Sequence, residues 1–292
     1  MTKPVIGFIG LGLMGGNMVE NLQNRGFELV VMDLNKEAVA KVVARGATTA
    51  ASAKELAAAS DIVMLCLTTS AVVESIVYAE DGILAGIRDG AVLIDFGTSI
   101  PASTRKIGAD LASKGAGMID APLGRTPAHA KDGLLNIMAS GDEATFAKVK
   151  PVLEQQGENV FYLGALGAGH TTKLINNFMG MTTVATMSQA FAVADLAGVD
   201  RQQLWEIMST GPSMSPFMQF CKNYAVDGVS DLGFSINNAN KDLGYFLEMV
   251  KDLGTESQIA EGTSYNLQAA VDSGLGNGNV PEILDYFLKL EK

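Results

Sequence analysis

Nucleophilic and metal-binding side chains are scarce in this chain, which has two cysteines and two histidines among 292 residues. Cys66 and Cys221 lie far apart in sequence, so they build neither a disulfide framework nor a metal site. His129 and His170 are equally dispersed, and no metal is expected. Positive charge is also short. Against 32 Asp and Glu stand 21 Lys and Arg, a formal net charge of −11. That balance suits neither nucleic acid nor an anionic membrane surface as a partner. It gives an anionic substrate no general attraction, so such a substrate needs a local cationic site. No apolar run reaches membrane-spanning length. The opening MTKPVIGFIG passes straight into a strand and a glycine turn without a signal-peptide pattern, so a cytoplasmic protein is expected.

What is present is a globular composition, 48% hydrophobic and 18% charged, in a chain long enough for two domains. Val5–Gly10, Leu29–Asp33, Asp61–Leu67 and Ala91–Phe96 read as buried strands, and GMIDAP, LLNIMAS and NVFYLG as further ones. Between them run helical segments: Leu13–Arg25 closed by Gly26, Lys36–Arg45 closed by Gly46, Ala53–Ala59, and one opened by Pro101. This alternation predicts an α/β fold, with a Rossmann-type doubly wound, mainly parallel sheet over residues 1–164. Residues 165–292 read as an all-helical domain that begins with a long connecting helix from Ala168 to about Ala197. Helices over Arg201–Ser209, Pro216–Tyr224, Asn237–Leu253, Ser257–Ser273 and Pro281–Leu290 follow. The long helix is apolar nearly all round, more surface than one small domain covers. A homodimer or homotetramer is therefore expected.

Gly10-Leu11-Gly12-Leu13-Met14-Gly15 is a G-x-G-x-x-G that follows the first strand and opens the first helix. The first glycine allows the tight turn, the second lets a pyrophosphate approach the backbone, and the third lets helix and strand pack closely. The pattern also fits a plain glycine turn. Asp33 strengthens the dinucleotide reading, because it ends the second strand roughly 20 residues further on, where a carboxylate bonds the ribose hydroxyls. Leu67-Thr68-Thr69 and Gly97-Thr98-Ser99 end the third and fourth strands. They are either ordinary turns or cofactor contacts at the carboxyl edge of the sheet.

GAGHTTKLINN opens the long helix. It sets Lys173, Asn176, Asn177 and Gly180 at i, i+3, i+4 and i+7, on one face. Two readings compete: a polar patch at a domain interface, or a lysine that exchanges a proton with a substrate oriented by the two amides. His170, in the first turn, reads as a capping or packing residue. In DAPLGRT, Gly124 is followed by Arg125 and Thr126. Arg125 is either a solvated loop charge or a guanidinium fork for a carboxylate, phosphate or sulfonate.

With GFIGLGLMG, DAPLGRT, GAGHTTKLINN and NKDLG in this order, the chain resembles the β-hydroxyacid dehydrogenase family over essentially its whole length. The resemblance implies an NAD-dependent oxidoreductase with Lys173 as the catalytic lysine and Asn176 and Asn177 as substrate-orienting amides. It implies cofactor contacts from Leu13, Met14, Asp33, Leu67, Thr98 and Lys241. Most relatives read D-A-P-V-S-G-G where this chain has Gly124-Arg125-Thr126. That run is similar to the members that reduce 3-sulfolactaldehyde to 2,3-dihydroxypropane-1-sulfonate, which implies a sulfonate held by the loop. Gly180 departs from those members, where a serine is expected. The alternatives are a carboxylate semialdehyde (tartronate, methylmalonate or succinic semialdehyde), a non-catalytic NAD-binding sensor, and an imine reductase on the same fold.

Asp33 repels a 2′-phosphate, and the residues after it are Leu34, Asn35 and Lys36, with no arginine among them. NAD is therefore expected to bind more tightly than NADP. Titration of both cofactors by fluorescence tests this, and tighter NADP binding defeats it.

Overall fold

The computed structural model describes residues 3–212 and 214–290. They divide into two compact units, Met1–Lys173 and Leu174–Lys292. The division falls inside the long helix, which runs unbroken over Ala168–Leu196.

The first unit is built on one sheet of nine strands: β1 Ile6–Ile9, β2 Leu29–Met32, β3 Thr48–Thr49, β4 Ile62–Leu65, β5 Val92–Asp95, β6 Gly117–Asp120, β7 Leu123–Gly124, β8 Leu135–Gly141 and β9 Gly157–Tyr162. Their spatial order is β3-β2-β1-β4-β5-β6-β8-β7, with β9 also on β8. From β3 to β6 every pairing is parallel. β8 then runs antiparallel to both β6 and β7, and parallel to β9. The parallel half has the expected Rossmann order, in which β1 lies between β2 and β4.

Strands buried on both faces read as unbroken apolar runs, which is why IGFI and IVML were legible. Ile6, Phe8, Ile62, Met64, Val92 and Ile94 point into one core layer, and Ile9, Val63, Leu65 and Leu93 into the other. Gly7 belongs to the second face because a Cβ there would stand 2.3 Å from Leu56 Cδ2. Helix starts follow local chemistry. Asn35, Ser52, Thr69 and Asp142 each accept an amide of the next turn through the side chain, while Pro101 and Pro127 stand in the first turn of theirs.

The structure adds elements that the pattern did not predict: the helices Ser70–Tyr78, Ile83–Gly86, Pro127–Asp132 and Glu143–Gln156, and the two-residue β3. It also adds a β-bulge in β9. Leu135 faces Gly157 and Asn136 faces Asn159, which leaves Glu158 as the extra residue.

The second unit is helical: Arg201–Ser209, Pro216–Ala225, Ile236–Asp252, Gln258–Ala270 and Ile283–Lys289 surround the long helix. Leu174, Met181, Val184 and Phe191 of that helix join Trp205, Leu243, Leu267 and Ile283 in one core. The expected helix Ser257–Ser273 loses its regular form after Ala270, where the turn runs into Gly274 at φ 91°. No helix among the described residues is long and apolar enough to cross a membrane.

Candidate active site

Every residue expected to hold the cofactor in the first unit lies just past the carboxyl end of a parallel strand: Gly10 after β1, Asp33 after β2, Leu67 after β4 and Thr98 after β5. The structure brings several of them into contact. The Asp33 carboxylate accepts the Leu11 amide at 2.5 Å and the Asn35 amide at 2.7 Å, which fixes it against the glycine turn. A Cβ on Gly10 would stand 3.1 Å from Leu67 Cδ2, so these two also meet.

The three glycines have separable roles. Gly10 has φ 100°, and a Cβ there would stand 2.3 Å from the Cys66 carbonyl oxygen. A Cβ on Gly15 would stand 1.9 Å from the Gly10 oxygen. Both positions must be glycine for the turn to close. A Cβ on Gly12 meets no protein atom within 4 Å, so the fold itself leaves that position open. An open approach at the start of the helix Leu13–Asn24 fits a pyrophosphate, and Leu13, 84% exposed, stands beside it. Cys66 adds no thiolate here, since burial and the neighbouring Asp95 push its thiol up to about 12.

A buried polar cluster lies at the start of the long helix. Asp120, the last residue of β6, is 0% exposed and accepts from the Gly167 amide at 2.8 Å, the His170 amide at 2.7 Å and the Ser140 hydroxyl. Ser140 in turn accepts the Gly169 amide at 2.9 Å. A carboxylate at a helix N-terminus satisfies amides that have no partner within the helix and complements the helix dipole. Gly169 lies so close that a Cβ would come within 2.3 Å of the Met138 carbonyl oxygen. The His170 ring is fully buried. Its Nδ1 is 2.8 Å from Thr104 Oγ1, and its Nε2 faces Asp95 Oδ2 at 3.7 Å. One turn after this anchor, Lys173 Nζ donates to the Leu123 carbonyl at 2.7 Å, in the segment that continues from Asp120. The lysine thus reaches the edge of the Gly124-Arg125-Thr126 loop.

That loop sits against the glycine-turn helix, because Asn17 Nδ2 donates to the Pro127 carbonyl at 3.0 Å. Arg125 has φ 76°, and it is the one non-glycine residue at positive φ among the described residues. Such a conformation costs an L-residue about 1 kcal/mol or more. Its Nη1 donates to the Leu134 carbonyl at 2.7 Å and pairs with Glu158 Oε2. Thr126 Oγ1 lies 2.7 Å from His129 Nδ1 rather than on a helix amide.

In the second unit, Asn177 is buried and donates through Nδ2 to Asp242 Oδ2 at 2.7 Å. The more exposed Asn176 donates to Asn177 Oδ1 at 3.3 Å. Asp242 is 2% exposed, and Lys241 Nζ stands 2.8 Å from its Oδ1 as an ion pair without hydrogen-bond geometry. Two expected site residues therefore share one carboxylate, which sequence reasoning missed although NKDLG contains it. Gly180 is buried, and a Cβ there would come within 2.7 Å of the Phe217 ring. A serine would not fit unless that ring moved, so Gly180 presents no polar group. Asp95, Asp120 and Ser140 were the other omissions. Their one visible signal is a carboxylate or hydroxyl inside or directly after an apolar run.

Known proteins resemble this chain over nearly its whole length. Residues 5–164 match the family described as the NAD binding domain of 6-phosphogluconate dehydrogenase, and residues 167–287 the one described as NAD-binding of NADP-dependent 3-hydroxyisobutyrate dehydrogenase. The chain is 31% identical to 2-(hydroxymethyl)glutarate dehydrogenase of Eubacterium barkeri, over 97% of this chain and 95% of that one. It is also 31% identical to 3-sulfolactaldehyde reductase of Escherichia coli K12, over 96% and 94%. Among solved structures, 3-hydroxyisobutyrate dehydrogenase of Salmonella typhimurium superposes with a TM-score of 0.84 at 27% identity, covering 97% of this chain and 100% of that one.

The glycine geometry separates folding from cofactor binding. Gly15→Ala is expected to cost several kcal/mol of stability, because its Cβ meets backbone that cannot step aside. Gly12→Ala is expected to keep the wild-type Tm and to weaken NAD binding about tenfold or more. Thermal denaturation with and without NAD reads both effects, and equal Tm losses for the two variants would contradict the assignment.

Proposed function

The chain belongs to the β-hydroxyacid dehydrogenase family and is an NAD-dependent oxidoreductase acting on a hydroxyl group, and from that premise we propose that it reduces a small anionic aldehyde to the alcohol, with Lys173 as proton donor and the Gly124-Arg125-Thr126 loop as the acid-group site. The observation that carries this reading is the 2.7 Å bond from Lys173 Nζ to the Leu123 carbonyl, next to Gly124. It holds a proton-bearing group beside the loop that would receive the acid group.

NADH, when bound, supplies the hydride that reduces the carbonyl carbon. Lys173 Nζ gives a proton to the carbonyl oxygen as negative charge builds there. In the oxidative direction the neutral amine takes the hydroxyl proton. A protonated amine carries three N–H donors, and the bond to Leu123 uses one of them to set the direction of the others. Asp242 holds the amide nitrogen of Asn177, so the orientation of the Asn176–Asn177 pair is fixed before substrate arrives. Asp33 and the glycine turn take the ribose and the pyrophosphate. Lys241 is assigned to the cofactor by family resemblance alone.

For the substrate, 3-sulfolactaldehyde is favoured, giving 2,3-dihydroxypropane-1-sulfonate. Arg125 supports it, since a guanidinium fork matches sulfonate oxygens, and so does the Escherichia coli relative named for that reaction. The second reading is a carboxylate aldehyde. The relative named for 2-(hydroxymethyl)glutarate is equally identical, and the Phe217 ring covers the position where a serine hydroxyl was expected. Retention of Lys173 argues against a non-catalytic sensor. The reading includes a cytoplasmic homodimer or homotetramer, which the exposure of Met179, Val193 and Leu196 on the long helix supports.

Two experiments test it. Lys173→Ala is expected to lower kcat by about 10²- to 10⁴-fold with the NADH Kd unchanged, and a kcat within threefold of wild type would remove Lys173 from the chemistry. A panel of 3-sulfolactaldehyde and tartronate, methylmalonate and succinic semialdehydes, run with NADH and NADPH, ranks the substrates by kcat/KM. On the best of them Arg125→Ala is expected to raise KM roughly 10- to 100-fold, the value of one charge-assisted bond. An unchanged KM would remove Arg125 from the site.

A further inference from the structure

Two departures from regular backbone meet in a single ion pair. Arg125 stands at φ 76°, a conformation that favours glycine. Glu158 is the extra residue of the β9 bulge, and a bulge re-aims the side chain it carries. The two side chains join through Arg125 Nη1 and Glu158 Oε2. They are 30% and 51% exposed, and a pair so open to solvent contributes little to stability. Its larger consequence is for charge. Nη1 serves Glu158 and the Leu134 carbonyl, and no hydrogen bond to Nε or Nη2 is found among the described residues. That leaves the edge that binds an acid group in bidentate fashion facing no protein acceptor, on a guanidinium whose charge is already opposed by a carboxylate.

We propose that Glu158 is a specificity-determining residue: an internal counter-ion that lowers the affinity of the Arg125 site for anions. This inference rests on the reading of Arg125 as the acid-group ligand. A substrate acid group arriving at Nε and Nη2 meets an attractive guanidinium and a repulsive carboxylate on its far side. At a distance the two opposite charges nearly cancel, and the attraction prevails only where the anion touches the guanidinium, so the carboxylate weighs most against anions that cannot form the close bidentate contact. Glu158 thereby favours an acid group with a fork of oxygens at bonding distance over one held by charge alone.

The experiment is a double-mutant cycle with the intact chain, NADH and the best anionic aldehyde of the panel. Glu158→Gln keeps the size and removes the charge, and it is expected to lower KM roughly three- to tenfold, with the larger part of the effect in KM. Inhibition by chloride, an anion with no fork of oxygens, is expected to strengthen at least as much. In the Arg125→Ala background the same Glu158→Gln change is expected to leave KM within twofold. A KM that rises in Glu158→Gln, or does not move, overturns the proposal while Arg125→Ala still raises KM. If Arg125→Ala itself leaves KM unchanged, the underlying assignment of Arg125 fails instead.

Discussion

Asp120 is a carboxylate sealed from solvent, and the position of Lys173 follows from how it is satisfied. It ends β6 and takes two main-chain amides and one hydroxyl, and both amides belong to the first turn of the long helix or its approach. A buried charge left without such partners costs several kcal/mol. The helix therefore begins at this point, in this orientation, close enough that Gly167 and Gly169 must stay glycine. Three residues along the chain from Asp120, the Leu123 carbonyl receives Lys173. One short segment thus anchors the helix and aims the side chain that the helix carries.

The same economy appears at the cofactor end, where a carboxylate again stands at a strand terminus. Asp33 ties the glycine turn to the end of β2 through the Leu11 amide. Packing demands Gly10 and Gly15, whereas nothing in the protein demands Gly12. At the start of a helix, that open space leaves room for an outside group to approach the backbone.

Much of this was legible in the sequence where the cause is local. Buried parallel strands announce themselves as apolar runs, and the face shared by Lys173, Asn176, Asn177 and Gly180 follows from helical spacing. Gly26 and Gly46 close their helices at φ 70° and 102°, as their place after the helical segments implied. What remained hidden has its cause far along the chain. Asp242 matters because Asn177 reaches it from another helix. His170 is enclosed by Thr104, Asp95 and Asp120, which three different stretches contribute. The strand β3 is too short to show a period. The bulge at Glu158 exists only relative to β8, so no local pattern announces it.

The proposed site draws on one loop for both of its ends. Consecutive Cα atoms are about 3.8 Å apart, so the Leu123 and Arg125 Cα atoms are separated by at most roughly 7 Å. Leu123 holds the group assigned to the carbonyl oxygen, and Arg125 the group assigned to the acid. Both ends of the proposed site are thus served by one short segment of chain. A chain with net charge −11 gathers no anions by its overall field, so the discrimination rests on this short span and on one guanidinium with its carboxylate neighbour.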